Sequence, residues 1–204
     1  MTYDGAAALA RHAQTLRQTA RRAAPGLPAL FWLTDPDRTP DLLAGALALP
    51  PGSGVILRHF GRPDLRAAAS PLAAIARARA LVLLIAADPV LAATSGAHGV
   101  HWPNRMLARA RRWRARRPDW TVTASAHSAR EIARAEGLAD AVFLSPIFPS
   151  ASPSATRPLG PLRAGRIAQD APMPVLALGG VNTRTVRRLQ GLGFSGIGAV
   201  GALA

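Results

Sequence analysis

Eight short apolar runs, most of them separated by helical stretches and the last two closed by glycine, predict a (β/α)8 barrel for this chain of 204 residues. The two final runs carry most weight: Pro174-Val-Leu-Ala-Leu-Gly-Gly180 and Gly196-Ile-Gly-Ala-Val-Gly201, with a helical stretch over 182–192 between them. Two buried parallel strands joined by a crossover have this pattern. Glycine at a strand end lets backbone N–H groups approach an anion closely. In eight-stranded barrels the loops after the last two strands often build a phosphate site. Two tight turns in another α/β protein would share the local pattern.

The elements follow in order. Residues 5–23 read as an amphipathic helix with Leu9, Ala13, Leu16 and Ala20 on one side, ended by Gly26-Leu-Pro28. Strands are expected at 29–33, 54–58, 80–86, 99–102, 121–125, 141–144, 175–178 and 197–200, and helices at 40–48, 104–117, 128–137 and 182–192. Asp88-Pro89 has the form of a helix N-terminus, with Asp88 as N-cap. Too little sequence follows the eighth strand for an eighth helix, and the extra N-terminal helix is expected to cover that gap. Residues 1–204 read as one barrel domain with no linker. The one long irregular stretch, 145–161, is rich in serine and proline and follows the sixth strand, where a lid or binding loop is expected.

Composition narrows the chemistry. There is no cysteine and no lysine, so all 25 basic residues are arginine. Thiolate catalysis, lysine Schiff bases and a Walker-type P-loop are excluded. Apolar residues make up 49% of the chain, yet the longest apolar run, 80–87, is far too short to cross a bilayer. No secretory h-region opens the sequence, so the cytoplasm is the expected compartment. The formal charge of +14 raises the question of nucleic acid. Arg105, Arg109, Arg112 and Arg116 form one helical stripe, with Met106, Ala110 and Trp113 on another. No nucleic-acid-binding motif accompanies it, so a solvated helix face is the expected reading, with weak non-specific binding at most.

In a barrel, function lives where strands end. Those positions hold Asp35 and Asp37, Arg58 and His59, Asp88, Ser125 and His127, then Ser145, Ser150 and Ser152, Gly179 and Gly180, and Val200 and Gly201; His101 lies within the fourth strand. Asp35 and Asp37 flank a proline and also suit a turn, and His127 with Ser128 also suits a helix cap. His101 reads as a satisfied core histidine. The set is thin in acid/base groups and is better suited to holding phosphate and diphosphate than to abstracting a proton.

Seven stretches in register resemble the thiamine phosphate synthase family, which also contains the thiazole tautomerases. They are Phe31-Trp-Leu-Thr-Asp35, Gly54-Val-Ile-Leu-Arg58, Gly96-Ala-His-Gly-Val-His101, Ser125-Ala-His-Ser128, Ser145-Pro-Ile-Phe-Pro-Ser150, Ala177-Leu-Gly-Gly180 and Gly196-Ile-Gly-Ala-Val200. The resemblance implies a TIM barrel in thiamine biosynthesis that joins a pyrimidine diphosphate to a thiazole phosphate, with Mg2+ and cations on the departing diphosphate. Residue by residue, it implies Arg58, Ser125 and His127 as catalytic candidates. It implies Ser150, Ser152, Gly179, Gly180, Val200 and Gly201 for phosphate. Asp88 meets the position of a metal-binding aspartate when one residue is deleted in the following helix; without that gap, alanine occupies the position. The sequence also departs from the family. A second metal aspartate has no counterpart in Trp102-Pro-Asn-Arg-Met106, and the lysine of the sixth loop is Pro153. The glutamine and lysine around Arg58 are Ile56 and Phe60, and the tautomerase histidine at the sixth strand's exit is Pro146. Arg157 is the expected substitute for the lost lysine. Two other readings stand beside the transferase: a non-synthase member that binds thiamine phosphate or a related phosphorylated ligand, and a nucleic-acid-binding protein using the arginine surface.

Overall fold

The computed structural model describes residues 3–24, 26–39, 41–150 and 157–201. Eight parallel strands close into a barrel in chain order: β1 (Leu30–Leu33), β2 (Gly54–Leu57), β3 (Val82–Ala86), β4 (Gly99–Trp102), β5 (Thr121–Ala126), β6 (Ala141–Leu144), β7 (Val175–Ala177) and β8 (Gly196–Ala199). Closure is made by β8 pairing with β1, Leu30 opposite Ile197. Each strand falls inside its expected run or oversteps it by one residue. The fold is therefore the predicted TIM-type barrel.

Around it lie α1 (Tyr3–Thr19), α2 (Leu42–Leu47), α3 (Pro63–Ala67), α4 (Ala69–Ala78), α5 (Pro89–Ser95), α6 (Ala110–Arg116), α7 (Ala129–Ala135) and α8 (Pro161–Asp170). The apolar side of α1, Leu9, Ala13 and Leu16, is buried, and this helix packs against β1 and β8. Among the described residues no helix follows β8, and α1 lies over that flank. Among the described residues no helix is long and apolar enough to cross a membrane.

Three helical expectations change. The first helix stops at Thr19, whose hydroxyl bonds back to the carbonyls of Thr15 and Leu16. The stretch 104–117 divides into a 3-10 segment, Asn104–Arg109, and α6. The stretch 182–192 keeps only a 3-10 turn, Val186–Leu189. Its start is capped, the Asn182 side chain accepting the N–H groups of Arg184 and Thr185 while Thr185 Oγ1 accepts the Asn182 N–H and donates to the Gly180 carbonyl. The expected cap at Asp88 is present, its side chain accepting from Leu91 N–H at the start of α5.

The barrel interior is filled by side chains, with Phe31, Leu33, Ile56, Leu84, Phe143 and Leu176 buried together. Phe31 and Phe143 meet edge to face, centroids 5.3 Å apart. Glycine makes this possible. A Cβ at Gly54 would fall inside the Phe31 ring, and one at Gly198 would press on Leu33, Phe143 and Leu178 at 2.9–3.1 Å. Gly54→Val is expected to lower the unfolding free energy by about 1–3 kcal/mol, and Phe31→Ala by about 3–5 kcal/mol. In urea titrations the double variant should lose less than the sum, because removing the ring opens the space that valine needs. Strict additivity would contradict this packing.

Candidate functional site at the barrel mouth

The C-terminal ends of the eight strands gather the polar residues at one end of the barrel. The best-held cation there is Arg58, just beyond β2. The register that sets Leu33 opposite Ile56 brings the exit of β1 beside it. Arg58 Nε donates to the Thr34 carbonyl at 2.6 Å, Nη2 pairs with Asp35 at 3.1 Å, and the Arg58 N–H donates to Thr34 Oγ1 at 3.0 Å. Its guanidinium also lies 5.5 Å from the Phe60 ring centroid. Burial lowers the Arg58 pKa from its ordinary value, Asp35 raises it, and Arg38 lowers it further. Asp35 also accepts the Asp37 N–H, so it both shapes a turn and braces the arginine. Phe60 is 65% exposed with φ 49°, a strained conformation for a non-glycine residue.

His59 turns inward beside Asp88. Its Nδ1 accepts the Gly61 N–H at 2.9 Å, and its Nε2 lies 3.6 Å from Asp88 Oδ2. Burial lowers the His59 pKa, against the opposing effect of Asp88. Asp88 Oδ1 accepts Leu91 N–H at 2.9 Å, and Oδ2 is ion-paired with Arg66 of α3. Burial alone would raise the Asp88 pKa. The Leu91 N–H bond and the Arg66 guanidinium outweigh it and hold the carboxyl below its usual value.

These side chains do not match a magnesium site, which requires a shell of oxygen acceptors. Both Asp88 oxygens are engaged by donors. The stretch Trp102-Pro-Asn-Arg-Met106 offers no second carboxylate, and Asn104 within it is tied to Ser125, its N–H donating to Ser125 Oγ at 3.1 Å and its Nδ2 to the Ser125 carbonyl at 3.4 Å. Among the described residues no cluster of three histidine, cysteine or acidic groups exists that could hold a metal ion.

Ser125 is thus tied to the start of the 3-10 segment. His127 is exposed; its Nδ1 lies 2.8 Å from the Ser145 carbonyl, and its N–H donates to Glu131. Ser128 caps α7 by accepting the Glu131 N–H, so the capping reading of this pair holds for the backbone. The ring instead joins the exits of β5 and β6.

The root of the loop after β6 is ordered as a ladder. Ile147 and Phe148 N–H donate to the carbonyls of Leu178 and Gly179, and Leu159 and Gly160 N–H donate to Pro146 and Ile147. The glycines serve this approach directly. A Cβ at Gly179 would lie 2.8 Å from Pro146 Cα, and one at Gly180 2.5 Å from the Pro149 carbonyl oxygen. Ser150 is half-buried at the far end of this ladder and Arg157 is exposed beyond it. Ser152 and Pro153 lie outside the described residues. Val200 packs on the interior cluster, and Gly201 stands beside Arg38.

Beneath the mouth, His101 is buried, with Nδ1 3.0 Å from Thr123 Oγ1 and its ring edge to face with Phe143. Burial and then the charge of Arg58 lower its pKa to about 3. It is the satisfied core histidine that the sequence predicts. Sequence reasoning missed the brace of Thr34 and Asp35 on Arg58 and the role of Arg66. The first was signalled only by position, directly after β1; the second depends on a contact between α3 and the β3 exit that no local pattern reveals.

The arginine face of α6 stands apart from the mouth. Trp113 stacks on Trp120 with centroids 5.6 Å apart. Arg116 and Arg117 lie over these two rings.

The architecture is that of a closed (β/α)8 barrel with its polar groups at the strand C-termini, the end where barrels of this kind carry their sites. The chain belongs to the thiamine monophosphate synthase family, whose model matches residues 37–203. Among solved structures, it is similar to thiamine phosphate pyrophosphorylase from Pyrococcus furiosus, at 19% identity and a TM-score of 0.68 over 92% of this chain and 87% of that one. The corresponding protein from Bacteroides thetaiotaomicron is 19% identical with a TM-score of 0.54 over 85% and 83%. FabK from Thermotoga maritima, at 16% identity and 0.64 over 93% and 62%, shares the fold as well. No curated protein sequence matches significantly.

His101 makes acid stability a test of this geometry. Its folded pKa lies below the unfolded value of 6.5, so the unfolded state binds the extra proton between the two. Its contribution is complete above about pH 6.5 and is lost as pH falls toward 3, at up to about 1.4 kcal/mol per pH unit. In urea titrations from about pH 7 to 4.5, His101→Leu is expected to lose stability less steeply than wild type. Equal slopes would contradict the buried neutral ring.

Proposed function

We propose that this chain is a thiamine phosphate synthase-like transferase, joining a pyrimidine diphosphate to a thiazole phosphate. The observation that carries this reading is Arg58, desolvated and held at the mouth by Asp35 and Thr34, in a chain matched to the family over 37–203. In the proposed step the bond from the pyrimidine methylene carbon to the diphosphate oxygen breaks, and diphosphate departs with the electron pair. The thiazole nitrogen donates its lone pair to that carbon and forms the new C–N bond. No proton has to move in this step, which accords with a mouth poor in acid/base pairs. Charge grows on the departing diphosphate, where a preorganised guanidinium is most effective. Arg58 and Ser125 are assigned to the diphosphate, with His127 positioned at the neighbouring strand exit. Ser150, Ser152, Gly179, Gly180, Val200 and Gly201 are assigned to the thiazole phosphate.

Nucleic acid stays outside this reading. The aromatic groups beside the arginine face stack on each other and under Arg116 and Arg117, and base stacking is the usual second element of single-strand binding.

The test is product formation from pyrimidine diphosphate and thiazole phosphate. Arg58→Ala is expected to lower kcat by about 30- to 1000-fold, equivalent to about 2–4 kcal/mol, with the circular dichroism spectrum unchanged. A wild-type protein that binds thiamine phosphate but forms no product would transfer the assignment to a non-catalytic, ligand-binding member of the family.

A further inference from the structure

Resting on the reading that the mouth receives a diphosphate, we infer that the Arg66 guanidinium stands where the family resemblance puts a magnesium ion, so that this chain takes up diphosphate without a metal. Two donors hold the Asp88 carboxylate and a third faces it. Leu91 N–H reaches Oδ1, and Arg66 Nη1 pairs with Oδ2. The third is His59: because its Nδ1 accepts the Gly61 N–H, the ring proton sits on Nε2, 3.6 Å from the same oxygen. That Nε2 is buried and has no hydrogen-bond partner. The surroundings of Asp88 are therefore built to present hydrogens to a carboxylate, whereas a magnesium ion needs oxygens presented to it. A dication placed there would also face the positive Arg66 at contact distance.

The charge balance works without the ion. A magnesium ion between two aspartates is neutral as a unit, and so is Arg66 on Asp88. The replacement therefore leaves the local field similar and supplies N–H donors in place of a coordination site. The guanidinium is planar, carries five N–H donors and meets phosphate oxygens in pairs. Asp88 takes only its inner side: the Arg66 side chain is 42% exposed, while the carboxylate beneath it is 16% exposed. The outward donors face solvent at the exits of β2 and β3. Arg58 supplies the neighbouring cation on the β2 side. The absence of a second carboxylate from Trp102-Pro-Asn-Arg-Met106 accords with the same substitution of guanidinium for metal.

The experiment is calorimetric titration of the full chain with inorganic pyrophosphate, in EDTA and in excess Mg2+. The expected result is that Kd agrees within about threefold between the two conditions. Arg66→Gln is expected to weaken binding by about tenfold or more, the scale of a lost charge-assisted hydrogen bond. The decisive variant is Asp88→Asn. Asparagine can still accept Leu91 N–H through Oδ1 and remains a good helix N-cap, while its NH2 replaces the oxygen that holds Arg66 and frees the guanidinium for phosphate, so the inference predicts pyrophosphate binding as tight as wild type or tighter in both conditions. A metal-ligand role for Asp88 predicts the opposite, a loss of Mg2+-dependent affinity. Binding that requires Mg2+, or that Asp88→Asn abolishes only in Mg2+, overturns the inference while leaving the diphosphate reading of the mouth intact. Affinity in EDTA that Arg66→Gln leaves unchanged overturns it too. No pyrophosphate binding in either condition overturns both. The comparison of EDTA with Mg2+ uses wild-type protein alone, so it decides the metal question even if a variant fails to fold.

Discussion

Closing eight parallel strands into a barrel leaves an interior that side chains must fill, and the rest of this molecule is arranged around that requirement. Phe31 and Phe143 provide the bulk, and Gly54 and Gly198 give them room. The apolar plug has an electrostatic consequence. Polar groups near its upper edge have little water to solvate them, so each is either neutral, as His101 is beside Phe143, or tied to a partner, as Arg58 is to Asp35 and Thr34. Preorganisation at the mouth comes from this shortage of water and not from a dense network of acids and bases.

The mouth also shows how a family scaffold can change the source of its positive charge. The sequence contains no lysine; the position at which the resemblance expects lysine beside Arg58 holds Phe60, and the stretch just beyond β4, Pro103-Asn-Arg-Met106, holds no aspartate. What remains is a set of guanidinium groups braced by single carboxylates, Arg58 on Asp35 and Arg66 on Asp88. Arginine keeps its charge in partly desolvated surroundings where lysine readily loses it. A mouth built from braced arginines can therefore stay cationic above an apolar plug. Phe60, in a left-handed backbone conformation and lying under Arg58, then adds an aromatic surface where the family pattern has a charge.

Most of the barrel was legible from local pattern because buried parallel strands are near-continuous apolar runs, and most of these strands have that form, β5 with its Thr121, Thr123 and Ser125 being the clearest departure. Strand ends were legible for the same reason, which is why Arg58, Asp88, Ser125, Gly179 and Gly180 could be placed at the mouth from sequence. Helices were less legible. The run 182–192 has helical composition and a capped start at Asn182, yet it keeps only the 3-10 turn Val186–Leu189. A second role of Gly179 and Gly180 was not legible. Their Cα positions admit the backbone of the loop after β6, a contact between segments about 30 residues apart that no motif of five residues encodes. The partners of Arg58 and Asp88 were invisible for a similar reason: both depend on which neighbouring strand exit or helix lies alongside.

We propose that the barrel mouth is a two-part anion site, with diphosphate against Arg58 and Arg66 and a thiazole phosphate against the backbone after β7 and β8. A crystal structure of the chain with thiamine phosphate and pyrophosphate tests it most directly. The account predicts the thiamine phosphoryl group on the backbone of residues 179–180 and 200–201, and pyrophosphate contacting both guanidinium groups with Asp88 still paired to Arg66. Pyrophosphate bound through a metal ion on Asp88, or both ligands lying outside the barrel mouth, would contradict it.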